Sequence, residues 1–228
     1  MRAPDRIVRH RLPDRIFHWV MAASVLALLA TGFLPILGVR FAWVTMHWIA
    51  GLVLGAAVLF HIVRALIWLE PSSMMVWPAD LRDAWRATLR AFGRRTVVPK
   101  PGKYALLQKL YHHASALVLL TTLGTGLLMM VKVDTPFWTR DPYWLSDSTW
   151  GVIYVLHGLA ALTSITLVMV HVYFAIRPDK LWLTRSMILG WITRAEYDAQ
   201  HDPARWRSGV RQGRAQRQAP AGSEGVAD

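Results

Sequence analysis

Four long runs of apolar residues, set apart by polar and proline-bearing segments, dominate this chain. They cover about residues 16–36, 43–68, 107–131 and 150–176. A helix of about 20 residues, rising 1.5 Å per residue, crosses a hydrocarbon core of roughly 30 Å. Each run is therefore predicted as a transmembrane helix, the only open-chain structure that satisfies its own backbone in lipid. The first run is too long for a cleaved leader, lacks a small-x-small site and carries His18 and Trp19 at its head, so it reads as a retained helix. The loop 69–106 holds Pro71, Pro78, Pro99 and Pro101. Within it, Ala79–Phe92 has a helical period, with Leu81, Trp85, Leu89 and Phe92 on one face and Arg82, Arg86 and Arg90 on another. That pattern predicts a short helix lying at a membrane interface. Beyond Pro178 a short helix around 181–200 is expected, and the last fifteen residues are expected to be disordered. The expected organisation is all-α: a basic lead-in 1–15, a four-helix transmembrane domain 16–176 and a basic tail 177–228.

Composition fits that reading. The chain is 54% hydrophobic, and Trp19, Trp43, Trp48, Trp68, Trp138, Trp144 and Trp150 fall near the expected helix ends, as an aromatic belt would. A net charge of +12 invites a nucleic-acid reading, but its distribution argues for a membrane. Five Arg lie in 1–15, nine Lys or Arg in 64–109 and nine in 177–228, against only Arg40, Lys132 and Arg140 in the other two loops. The positive-inside rule then places both termini and the middle loop in the cytoplasm, where basic side chains also meet anionic lipid headgroups. With no cysteine, covalent c-type haem, cysteine-held iron–sulfur clusters and disulfides are excluded. No acidic residue lies in the four runs, which leaves histidine to hold any redox centre there.

His157 and His171 are fourteen residues apart, and His47 and His61 repeat the spacing. Fourteen residues is close to four helical turns, so each pair lies on one face, about 21 Å apart along the axis. A lone histidine at a helix end is ordinarily an interfacial or hydrogen-bonded residue. Several at matched depths, without charged partners, point to metal ligation. The arrangement predicts two bis-histidine b-type haems, one near each membrane surface, forming an electron path across the bilayer. Depth pairs His47 with His157 for the outer haem. The inner haem takes His171 with either His18 or His61, and spacing alone favours His61 because it shares a face with His47. Gly51, Gly55 and Gly158 serve either porphyrin clearance or plain helix packing. His10, His112, His113 and His201 lie at the inner boundary or in the tails and read as solvated, although His112 and His113 could line a site near the inner haem. The repeated spacing does not establish internal duplication, since the flanking residues differ.

The opening Arg9-x-Arg11-x-x-Asp14-Arg15-x-x-His18-Trp19 resembles the start of the gamma subunit of respiratory formate dehydrogenase, a membrane cytochrome b. Further likeness lies in His47 with Gly51, in Gly102-Lys103-Tyr104 and Gln108-Lys109, and in His157 with His171 and Tyr173. It continues in Met187-Ile188-x-Gly190-x-Ile192-Thr193-Arg194, His201 and Trp206, and covers most of residues 9–206. The resemblance implies that His18 and His171 hold the cytoplasmic-side haem, and His47 and His157 the periplasmic-side haem. It implies electron entry at the outer haem from an iron–sulfur beta subunit, fed by a molybdenum or tungsten catalytic alpha subunit, and quinone reduction near the inner haem in a bacterial inner membrane. Where the family has an Asn near the quinone site this chain has Ala105, and where it has Gly before the Gln this chain has Leu107. Gln108 remains as a quinone contact, and His61 is an addition to the pattern.

Two other readings compete. The same plan resembles cytochrome b subunits of nickel–iron hydrogenases or other molybdoenzymes, and stand-alone di-haem quinone-linked cytochromes. A metal transporter or sensor using the same histidines is disfavoured, because transporters usually add intramembrane carboxylates.

Overall fold

The computed structural model describes residues 6–67 and 71–206. Among them, four helices are long and apolar enough to cross a membrane: α1 (Leu12–Phe33), α2 (Trp43–Ile67), α4 (Leu106–Met129, continued by a 3₁₀ turn to Lys132) and α5 (Asp147–Ile176). Their apolar windows are only 6–11% buried, so most side chains face outward, as lipid-solvated helices require. The helix expected in the middle loop over 79–92 is α3 (Pro78–Ala91). Pro78 opens it without losing a needed donor, and Asp80 reaches back to accept the Trp77 N–H at 2.8 Å. Leu81, Trp85 and Phe92 are exposed along it.

The chain divides into two compact units. The bundle unit comprises Ile16–Pro71 and Leu110–Phe174. Its hydroxyls turn back onto their own helices: Thr31, Thr122, Thr125 and Ser164 each donate to the carbonyl four residues earlier, which removes a polar cost in an apolar setting. The loop before α5 is pinned at its ends. Trp150 is buried and donates from Nε1 to Pro142 O at 3.1 Å, and the Lys132 ammonium sits 4.6 Å from the Trp150 ring centre.

The polar unit gathers the lead-in, the middle loop Ser72–Lys109 and the tail from Ala175. Two of the four apolar helices separate each of these segments from the next along the chain. The unit contains an antiparallel ribbon that the all-α expectation lacks. β1 (Arg6–Val8) pairs with β2 (Trp191–Thr193), with Ile7 opposite Ile192. Those two side chains, with Tyr197 and Trp206, form its core. The helix expected over 181–200 is broken in two, α6 (Leu181–Leu189) and α7 (Arg194–Gln200). Gly190 ends the first with φ +89, and a Cβ there would meet His10 O at 2.9 Å, so only glycine fits. Its carbonyl accepts from the Arg9 and His10 amides. Thr193 and Glu196 start α7 with reciprocal caps. The expected disordered end, 214–228, lies outside the described residues.

Candidate functional site

The bundle brings histidines together in pairs. The His47 and His157 rings, from α2 and α5, have centroids 6.2 Å apart. His18 of α1 and His171 of α5 are 6.0 Å apart. A metal held between two imidazoles imposes a similar figure: two metal–nitrogen bonds of about 2 Å, plus about 1 Å from each nitrogen to its ring centre, total about 6 Å. The donor set therefore fits a bis-imidazole iron at both depths. His61, the alternative that spacing favoured for His171, instead faces His112 of α4 at 6.3 Å. Depth along a helix was readable from the sequence; direction around it was not.

The outer pair has a support that the sequence did not flag. Thr31 Oγ1 lies 2.8 Å from His47 Nδ1, and Thr125 Oγ1 lies 2.9 Å from His157 Nδ1. Each hydroxyl commits its one proton to a backbone carbonyl at 2.7 Å, that of Ala27 or of Thr121. Each must then accept from the ring, which places the imidazole proton on Nδ1 and the lone pair on Nε2, as an axial ligand requires. The glycine beside Thr125 lets the ring lie close, since a Cβ on Gly126 would meet His157 Cε1 at 3.3 Å, whereas one on Gly32 would make an ordinary contact with His47 Cε1 at 3.7 Å. The readable signal was a Thr-Gly pair near the same end of two different spans. At the inner pair, Tyr111 stacks on His171 with centroids 5.6 Å apart, and its hydroxyl donates to Leu167 O at 3.0 Å. Phe17 stacks on His61 at 4.3 Å.

Gln108 lies at the start of α4, where its Oε1 accepts from the Ala105 N–H at 3.0 Å. That leaves its amide N–H groups as the means of contacting a ligand. Its neighbour Lys109 is buried and donates to Asp80 at 2.8 Å and to Met75 O at 3.0 Å. Burial works against ionisation of Asp80, but the Lys109 and Trp77 hydrogen bonds outweigh it and hold the carboxyl below its usual range.

The remaining motif residues meet in the polar unit. Arg9, 3% exposed, donates from Nη2 to Lys103 O at 3.0 Å and lies 3.0 Å from His201 Nε2 through Nη1. The Tyr104, Trp182 and Trp206 rings surround its guanidinium. Burial pulls the Arg9 pKa down to about 10. His201 donates from Nδ1 to Gly102 O at 2.7 Å, so its Nε2 is the acceptor for Arg9. Burial, with Arg9 adding to it, lowers His201 to about 4. Expected to be solvated, His201 is in fact a buried neutral partner of a buried cation.

The sequence pattern described as prokaryotic cytochrome b561 matches residues 9–190, and the chain belongs to that family. Membership implies haem b as the prosthetic group. The chain is also similar to two curated cytochrome subunits. It is 29% identical to the cytochrome b556(fdo) subunit of formate dehydrogenase from Escherichia coli strain K12, over 92% of this chain and 96% of that one. It is 25% identical to the formate dehydrogenase cytochrome b556 subunit of Haemophilus influenzae, over 88% of this chain and 82% of that one.

Proposed function

We propose that this chain is the membrane-anchoring, di-haem cytochrome b subunit of a formate dehydrogenase complex. It carries electrons from an iron–sulfur subunit on the periplasmic side to membrane quinone. The observation that carries this is the pairing of imidazoles at two depths, each with rings about one iron's width apart. In this reading His47 and His157 hold the outer haem, and His18 and His171 the inner one. Two haems b supply one-electron carriage between the membrane faces.

The chain's own groups set the conditions. Thr31 and Thr125 fix the tautomer and orientation of the outer ligands. Tyr111 holds the His171 ring in place. Both termini and the middle loop face the cytoplasm, since the basic residues concentrate there. The quinone is bound near the inner haem, with Gln108 offering its amide N–H, and takes its protons from the cytoplasmic side. The relatives' names and the near-complete overlap in length support assembly with the other subunits of such a complex; in this reading those are a catalytic alpha and an iron–sulfur beta subunit.

Formate added to anaerobic membranes that contain the intact complex tests the reading. Reduction of both b haems by formate, followed by reoxidation on adding a quinone analogue, is the expected result. Reduction by hydrogen and not by formate assigns the chain to a hydrogenase instead. A membrane fraction without b-type absorption removes the haem reading altogether.

A further inference from the structure

The bundle unit carries a third pair built like the first two. His61 and His112 sit 6.3 Å apart, against 6.0 and 6.2 Å for the pairs already described. The chain contacts explain why. A constant shift of 94 residues carries Phe17, His18, Thr31 and Gly32 of α1 onto Tyr111, His112, Thr125 and Gly126 of α4. A constant shift of 110 carries His47 and His61 of α2 onto His157 and His171 of α5. The following histidine contacts of one half then have counterparts in the other. Thr31 with His47 becomes Thr125 with His157. Phe17 stacked on His61 becomes Tyr111 stacked on His171. The outer pair maps onto itself, which puts it on the axis of a two-fold repeat. The inner pair does not: the counterpart of His18 with His171 is His112 with His61.

We infer that His61 and His112 form a second inner-side bis-imidazole seat for a b-type haem, the repeat-related twin of the His18–His171 seat. The spacing of the rings is right for an iron between them, and no other metal chemistry is called for, because haem iron needs only two axial protein donors. Each seat is lined on one ligand by a flat aromatic ring, Phe17 at His61 and Tyr111 at His171. The seats differ in the groups around them: Tyr111 has a hydroxyl bonded to Leu167 O, whereas Phe17 has none, and His113 lies edge-on to His112 where Trp19 lies edge-on to His18. The inner half of the unit thus offers two places to a porphyrin where the outer half offers one.

The inference rests on the di-haem reading, and counting haem separates the two. Protohaem per polypeptide is measured in the purified complex for four chains: native, His18→Ala, His112→Phe and the double variant. His61→Phe repeats the third as an independent probe of the same seat. With two haems per chain, a fall of one haem on introducing His112→Phe or His61→Phe into the His18→Ala background, and no fall in the native one, is the expected result. A fall in the native background overturns the inference, because it makes His61 and His112 a support of the His18–His171 seat and not a seat of their own. A fall only in the His18→Ala background means that the haem moves to the second seat when the first is broken. If neither His112→Phe nor His61→Phe changes the count in either background, the second seat does not exist. The di-haem reading fails on a different result, a count that His47→Ala leaves unchanged.

Discussion

His201 and His47 are both half of a close polar pair, yet the two units of the molecule use them in opposite ways. In the polar unit both nitrogens of His201 are taken by protein groups, Gly102 O on one side and Arg9 on the other. In the bundle unit a threonine takes Nδ1 of His47 and of His157, and Nε2 is left as the ring's acceptor. The first arrangement closes the ring off and makes it structural. The second presents a lone pair and makes it a ligand. Residue type and burial do not separate the two cases; the accounting of ring nitrogens does.

That contrast is breakable at its strongest point. His47→Ala or His157→Ala is expected to abolish the outer haem, lowering the count by one per chain in a pyridine haemochromogen assay. His201→Gln is expected to leave the haem spectrum intact. A haem loss of similar size from His201→Gln would erase the distinction between a closed ring and an open one.

Acid sharpens it from the other side. His201 has a folded pKa of about 4 against 6.5 in an unfolded chain, so the unfolded chain takes up the proton first as pH falls. The stability this ring contributes is fully present above about 6.5 and is lost on the way down to about 4. At about 1.4 kcal/mol per pKa unit, the difference of about 2.5 between the two values makes the full loss roughly 3.5 kcal/mol. Hydrogen exchange of the Ile7 and Ile192 amides, compared at pH 7 and pH 4.5 after correction for intrinsic rates, reports it. The His201→Gln chain is expected to lose most of the pH response.

The smallest effect concerns the threonines. Thr31→Val or Thr125→Val removes the acceptor that fixes the ring tautomer. Loss of such a supporting group costs metal sites about 10- to 100-fold in affinity. The outer haem is expected to be retained in the purified protein but released that much faster to apomyoglobin. An unchanged release rate would show that helix packing alone orients the rings.

Much of this was legible in the sequence, for identifiable reasons. The four spans were, because some twenty consecutive apolar residues have few other uses. So was α3, where Leu81, Trp85 and Phe92 recur at helical spacing. The β1–β2 ribbon was not: three residues leave no period to read, and Ile7 finds Ile192 at the far end of the chain. The break at Gly190 was visible as a glycine, and only its positive φ and the approach of His10 give it meaning. The partner of His171 depended on an azimuth that spacing cannot supply. Thr31 and Thr125 looked like ordinary helix residues, because a hydroxyl bonded to its own backbone is indistinguishable in sequence from one that also holds a ring.

The ribbon also has a consequence in time. A ribosome makes Ile7 and Arg9 before the four spans, and Ile192, His201 and Trp206, which cover them, after the spans. The segment around Ile7 must therefore wait, uncovered, until all four spans have left the translocon. A chain that stalls or is cut before Trp191 keeps an apolar residue and a cation without their shelter. Closure of this small cap thus reports that the four spans between its strands are in place, and an uncapped segment is a natural handle for membrane proteases.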